Sequence, residues 1–127
     1  MNSASLAGRV ILICEDEPLI AIDIANAFTD AGARVVTARS LRDALATAED
    51  GALSAAILDH ALGDGDSSAL CARLKERNIP YVLYSGFSDF HGAYGDAVHV
   101  SKPTSPAVLV TTVVGLLQRR PTLHLKL

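Results

Sequence analysis

The stretch Val10–Pro18 reads VILICEDEP. Five apolar residues run unbroken over Val10–Cys14, three acids follow (Glu15, Asp16 and Glu17), and a proline closes the stretch. An unbroken apolar run of that length predicts a strand buried on both faces, since a half-exposed strand would alternate polar and apolar residues. Pro18 suits the first turn of a helix, where the N–H it lacks has no intrahelical partner to lose. Ile20, Ile24, Ala27, Phe28 and Ala31 then recur at helical spacing, and Gly32 suits the C-terminal stop. The stretch is one strand, one acidic turn and the start of one helix.

The same unit recurs along the chain. Arg34–Ala38 (RVVTA) predicts a second, weaker strand. Ser40 suits the cap of a helix running through Ala48, with Asp43 as a partial capping box. Ala55–Asp59 (AAILD) predicts a third strand, and Ser67 or Ser68 opens a helix to about Arg77. Tyr81–Ser85 (YVLYS) is a fourth strand and Ala97–Ser101 a fifth. Ser105–Pro106 starts the last helix, whose Leu109, Val110, Val113, Val114, Leu116 and Leu117 share one broad stripe, with Val108 the apolar outlier. Ser88–Asp96 holds two glycines and predicts a fourth helix that is short or degenerate. Such alternation implies an α/β fold: a five-stranded parallel sheet with helices on both faces, joined by right-handed crossovers.

Composition sets the bounds. A length of 127 residues permits one domain and not comfortably two. The reading is a single domain over residues 1–127, with its core at about 9–119 and a tail at 120–127. Hydrophobic residues make up 50% of the chain, enough to build a core and exclude wholesale disorder. A net charge of -3 argues against a basic nucleic-acid module, whose affinity rests on neutralising phosphates. The apolar runs are too short for a membrane span, and residues 1–8 lack the pattern of a secretion signal. Cys14 and Cys71 lie inside apolar elements and read as buried thiols of a reducing, cytoplasmic setting.

In open parallel sheets, ligands bind beyond the carboxyl ends of the strands. The first strand here ends in Glu15 and Asp16, the third in Asp59, the fourth in Ser85 and the fifth in Lys102. Three carboxylates, a hydroxyl and an ammonium converge on one edge, and a merely solvated polar rim does not account for four matched strand ends out of five. Crowded carboxylates repel unless a cation intervenes. Oxygen ligands with no His or Cys pair beside them favour a hard ion such as Mg²⁺ over zinc. A carboxylate beside a divalent ion and a lysine is the setting for an aspartyl phosphate, with the cations neutralising the transferring oxygens.

Those residues resemble the receiver domain of two-component response regulators, the CheY-like family. The resemblance covers roughly Arg9 to Arg119 and rests on Glu15–Asp16, Asp59, Ser85–Gly86 and Lys102–Pro103, each at a strand end. It implies the flavodoxin-like (βα)5 fold with strand order 2-1-3-4-5, an order that comes from the family and not from the residues. It implies that Asp59 accepts a phosphoryl group from a sensor histidine kinase or phosphotransfer protein. Asp16, Asp59 and the backbone carbonyl of Ala61 would bind Mg²⁺, with Glu15 holding the ion through water. Lys102 would pair with Asp59 and then with the phosphoryl oxygens, and Ser85 would be the switch hydroxyl. Lys102–Pro103 would be a cis peptide. The domain is then a signalling phosphoacceptor and not an enzyme acting on a separate substrate. The expected partners are the phosphodonor and a downstream protein reached by contact, without an attached output domain; the chain would be a monomer or a homodimer.

This sequence departs from the family pattern in places. Glu15 stands where Asp is commoner, and Gly63 where many relatives have proline. His99 occupies the position of the rotating switch aromatic; it reads as an edge-strand residue or as a polar, pH-sensing substitute. The span from Ser85 to Lys102 is short by about one helical turn. Glu17 reads as a helix-start acid, His60 as an exposed loop residue, and Arg73, Lys75 and Arg77 as a solvated helix face. Phe87, Phe90 and Tyr94 fill core or mark a partner surface, and the tail Pro121–Leu127 alternates at period two, as a frayed terminus or an added strand. Two alternatives stand beside the receiver reading. One is a receiver-like binding module that is never phosphorylated. The other is a phosphatase of the haloacid dehalogenase type, which needs an acid where this chain has Ala61.

Overall fold

A computed structural model describes residues 5–59, 61–62, 65–85, 98–102 and 104–119, with backbone alone at 61–62, 65–66, 85 and 119. Val10–Cys14 forms strand β1 and occupies an interior place in a five-stranded parallel sheet. Its neighbours are β2 (Arg34–Ala38) and β3 (Ala55–Asp59). Two short strands, β4 (Ala61–Leu62) and β5 (Gly65–Asp66), pair antiparallel outside the main sheet. β6 (Tyr81–Ser85) pairs with β3, and β7 (Val98–Ser101) closes the far edge. The order β2-β1-β3-β6-β7 is 2-1-3-4-5 when only the sheet's own strands are counted.

Alternation along β1 divides the core in two. Leu12 and Cys14 face one layer, with Leu58, Leu70, Cys71, Leu74 and Ala44. Ile11 and Ile13 face the other, with Ile24, Phe28, Ile57, Val82, Leu109 and Val113. Successive strand side chains point to opposite faces, so a strand that must bury both faces has to be apolar throughout, as VILIC is. The first layer is built on helices α2 (Leu41–Thr47) and α3 (Ser68–Glu76), the second on α1 (Pro18–Asp30) and α4 (Pro106–Arg119).

The helix ends follow local chemistry. Pro18 opens α1, and Gly32 at φ 101° terminates it while the N–H of Ala33 bonds the Phe28 carbonyl. Ser40 Oγ accepts the N–H of Asp43 at 3.1 Å, the cap read from the sequence. Asn78 at φ 59° lets the chain turn after α3, a position that tolerates asparagine better than most non-glycine residues. The stripe of α4 is as read: Leu109, Val113 and Leu117 are buried and Val108 is exposed. Cys14 and Cys71 are buried and are not joined in a disulfide.

The hairpin β4–β5 was not legible in the sequence, because each of its strands has two residues and no pattern can show at that length. Arg73 is also more than a solvated residue. Its Nε and Nη2 fork the Glu49 carboxylate at 2.6 and 2.7 Å, tying α3 to the turn after α2. Several readings lie outside the described residues: the degenerate helix with Phe87, Phe90 and Tyr94, the residues His60, Gly63 and Gly86, the Lys102–Pro103 peptide and the tail 120–127. Among the described residues no helix is long and apolar enough to cross a membrane.

Candidate functional site

Parallel pairing carries all the strand ends to one edge. Cys14 is level with Leu58, Asp59 with Tyr84, and Ser85 with Ser101. The residues just beyond, Glu15, Asp16 and Lys102, therefore meet at that edge beside Asp59. The N–H of Glu15 bonds the Ala38 carbonyl at 3.0 Å, so β1 stays hydrogen-bonded to the edge of the site.

Glu15, Asp16 and Asp59 each present a carboxylate oxygen within 4.8 Å of the others. Lys102 Nζ lies 3.3 Å from Glu15 Oε1 and 3.4 Å from Asp59 Oδ2, so one ammonium bridges two acids. It also stands 5.1 Å from the centre of the Tyr84 ring, a cation–π distance. The side chains are graded in depth: Glu15 is 2% exposed, Asp59 14% and Lys102 22%. Asp59 is thus open enough to meet a reagent, and Glu15 is a floor.

The charges are shifted as this crowding requires. Burial pushes the Glu15 carboxyl up and the nearby Asp59 charge adds to that, while the Glu17 N–H and Lys102 oppose it. Burial disfavours the Lys102 ammonium, but the facing charges of Asp59 and Glu15 outweigh it and hold the amine above its ordinary value. Both Glu15 oxygens are engaged, Oε2 accepting the Glu17 N–H at 3.0 Å and Oε1 facing Lys102. The cluster offers only oxygen donors, and three carboxylates near one point suit a hard divalent cation.

The structure brings together Glu15, Asp16, Asp59 and Lys102. The Ser85 backbone lies in register with Ser101 on the same edge. Ala61 follows in β4, two residues past Asp59. His99 does not join the cluster: Val98 and Val100 pack on the α1–α4 layer, so alternation points His99, partly buried, to the other face of edge strand β7.

Sequence reasoning misses two contributors. The sequence predicts a strand over Tyr84, and nothing in a linear pattern reveals that its ring lies beside an ammonium from another part of the chain. For Ser67 the sequence predicts only a helix opener, with Ser68 as the other candidate. Ser67 starts α3 but caps nothing; its buried hydroxyl donates instead to the Asp59 backbone carbonyl at 2.5 Å.

Comparison with known proteins bears on the family and the fold. The family model described as "Response regulator receiver domain" matches residues 11–114. A response regulator receiver protein from Sinorhizobium medicae superposes with a TM-score of 0.81 at 28% identity, covering 89% of this chain and 97% of that one. The anti-anti-sigma factor PhyR of Bartonella quintana, at 24% identity and a TM-score of 0.75, shares the fold over 91% of this chain and 51% of its own. A curated relative, the transcriptional regulatory protein TcrA of Mycobacterium tuberculosis, is 35% identical over 74 residues. That match takes in 58% of this chain but spans only 29% of the relative's length.

Proposed function

Because the chain belongs to the response regulator receiver domain family, we infer that it is a phosphoacceptor whose acceptor residue is Asp59. The observation that carries this is the bridge from Lys102 to Asp59 and Glu15 beside the second aspartate, Asp16. A carboxylate oxygen of Asp59 attacks the phosphorus of a phosphohistidine on a sensor kinase or phosphotransfer protein. The P–N bond breaks as the P–O bond forms, its electron pair stays on the imidazole, and a mixed anhydride results. Asp16, Asp59 and the Ala61 carbonyl would hold Mg²⁺, with Glu15 beneath. The ion, when bound, neutralises charge on the transferring oxygens. Lys102 meets those oxygens from the other side, its ammonium kept charged by the acids around it. Ser85 supplies the switch hydroxyl.

The new charge and the shift of Lys102 toward it change the surface around this edge, and a partner protein reads that change by differential affinity. The reading includes a cytoplasmic setting, in which the buried thiols of Cys14 and Cys71 stay reduced. A dehalogenase-type phosphatase is disfavoured by Ala61, which offers no second acid.

The test is intact mass after treatment with a small phosphodonor and Mg²⁺. One phosphoryl group is expected on the wild type and none on Asp59→Ala. No gain in the wild type, or equal gain in both, overturns the reading.

A further inference from the structure

We propose that Ser67 is a positioning residue for Asp59, which deepens the phosphoacceptor reading and rests on it. Three observations carry the proposal. Ser67 occupies the N-cap position of α3, where a serine ordinarily accepts an N–H from the first turn and stabilises the helix. Here it makes no such bond. Its side chain is wholly buried, and the hydroxyl reaches back eight residues to donate to the backbone carbonyl of Asp59 at 2.5 Å. Its own carbonyl meanwhile accepts the N–H of Cys71 at 2.9 Å, the first backbone bond of α3.

The consequence is mechanical. Ser67 is held by a helix whose Leu70, Cys71 and Leu74 are packed in the core. Through one hydroxyl that helix grips the peptide group of the residue whose side chain is attacked. The carbonyl of Asp59 is the last of β3, and the next described strands, β4 and β5, pair outside the main sheet. Without the clasp the peptide plane could rotate and carry the carboxylate away from Lys102, whose ammonium stands 3.4 Å from Asp59 Oδ2. A helix cap was forgone for this contact, and stability of α3 alone does not explain that exchange.

The test compares wild type, Ser67→Ala and Ser67→Thr as full chains. Phosphorylation by a small phosphodonor is followed at saturating Mg²⁺ across donor concentrations, with thermal melting beside it. Loss of one buried hydrogen bond at the acceptor predicts a maximal rate about tenfold lower in Ser67→Ala. The donor concentration giving half the maximal rate should hold within about twofold, since the clasp acts on alignment and not on donor binding. Ser67→Thr keeps the hydroxyl and should recover most of the rate. Ser67→Ala at the wild-type rate overturns the proposal, as does Ser67→Thr slowed as much as Ser67→Ala. Should Ser67→Ala fail to fold, Ser67→Cys, which keeps the volume and donates weakly, takes its place under the same criterion. A wild-type chain that accepts no phosphoryl group overturns both readings, whereas a phosphorylated wild type with an unaffected Ser67→Ala overturns this one alone.

Discussion

Lys102 and Glu15 lie 87 residues apart in the chain, yet the ammonium of one stands 3.3 Å from the carboxylate of the other at the floor of the site. Glu15 is buried to 2% exposure and its second oxygen is held by the Glu17 N–H. The lysine is therefore anchored from below by an acid that cannot swing away, and from there it reaches Asp59 at 3.4 Å.

Removing the anchor partner should expose a cation requirement. In Lys102→Ala three acids remain without their ammonium, and partial exposure limits the loss to about 1–2 kcal/mol of stability. Mg²⁺ should restore more of the melting temperature in this variant than it adds to the wild type, because a bound cation takes over the same compensation. Phosphorylation should still slow by at least about tenfold, since the transferring oxygens lose one of their two positive neighbours. Melting curves and intact-mass kinetics, each with and without Mg²⁺, check both parts.

Stability should depend on pH through Glu15. Its folded pKa lies above the ordinary 4.5, so between the two values the folded state binds more protons than the unfolded one. By linkage the Mg²⁺-free protein loses stability as pH rises above about 4.5. Stabilisation by Mg²⁺ should grow over the same range as Glu15 ionises. Glu15→Gln should flatten both trends, and melting temperatures from pH 5 to 8 with and without Mg²⁺ will show it.

Lys102 acts at the opposite end of the scale. Its folded pKa is raised from 10.5, so its contribution is fully present below that value and is lost as pH climbs through the folded pKa. Alkaline unfolding should begin at lower pH in Asp59→Asn than in the wild type, because one of the two charges holding the proton is gone. Circular dichroism during a base titration checks the order.

The ring of Tyr84 should matter more than its hydroxyl. Tyr84→Phe keeps the aromatic face and should phosphorylate within about twofold of wild type. Tyr84→Leu removes it and should slow the reaction by about fivefold, the worth of a ~1 kcal/mol cation–π contact. Equal rates in the two variants would show that the ring only fills space.

Two valines separate the faces of α4. Val113 is fully buried and Val108 is 44% exposed. Val113→Ala should cost about 2 kcal/mol and Val108→Ala no more than about 0.5 kcal/mol, measured by urea unfolding.

The alternating elements, the two-faced burial of VILIC, the helix limits at Pro18 and Gly32, and the gathering of Glu15, Asp16, Asp59 and Lys102 at one edge are all legible in the linear chain. Each follows from local rules: a parallel sheet aligns its strand ends, so residues placed after apolar runs must meet. Beyond the Lys102–Asp59 pairing that the family resemblance implies, the contacts are set by packing in three dimensions. That Lys102 also reaches Glu15, that Tyr84 lies beside the ammonium, and that Ser67 gives up a helix cap to hold the Asp59 carbonyl all depend on side-chain directions between elements distant in the chain. Arg73 of α3 gripping Glu49 in the turn after α2 belongs to the same class. Periodicity reports which face a residue lies on; which atom it touches is set by packing in three dimensions, where a fraction of an ångström separates a hydrogen bond from a near miss.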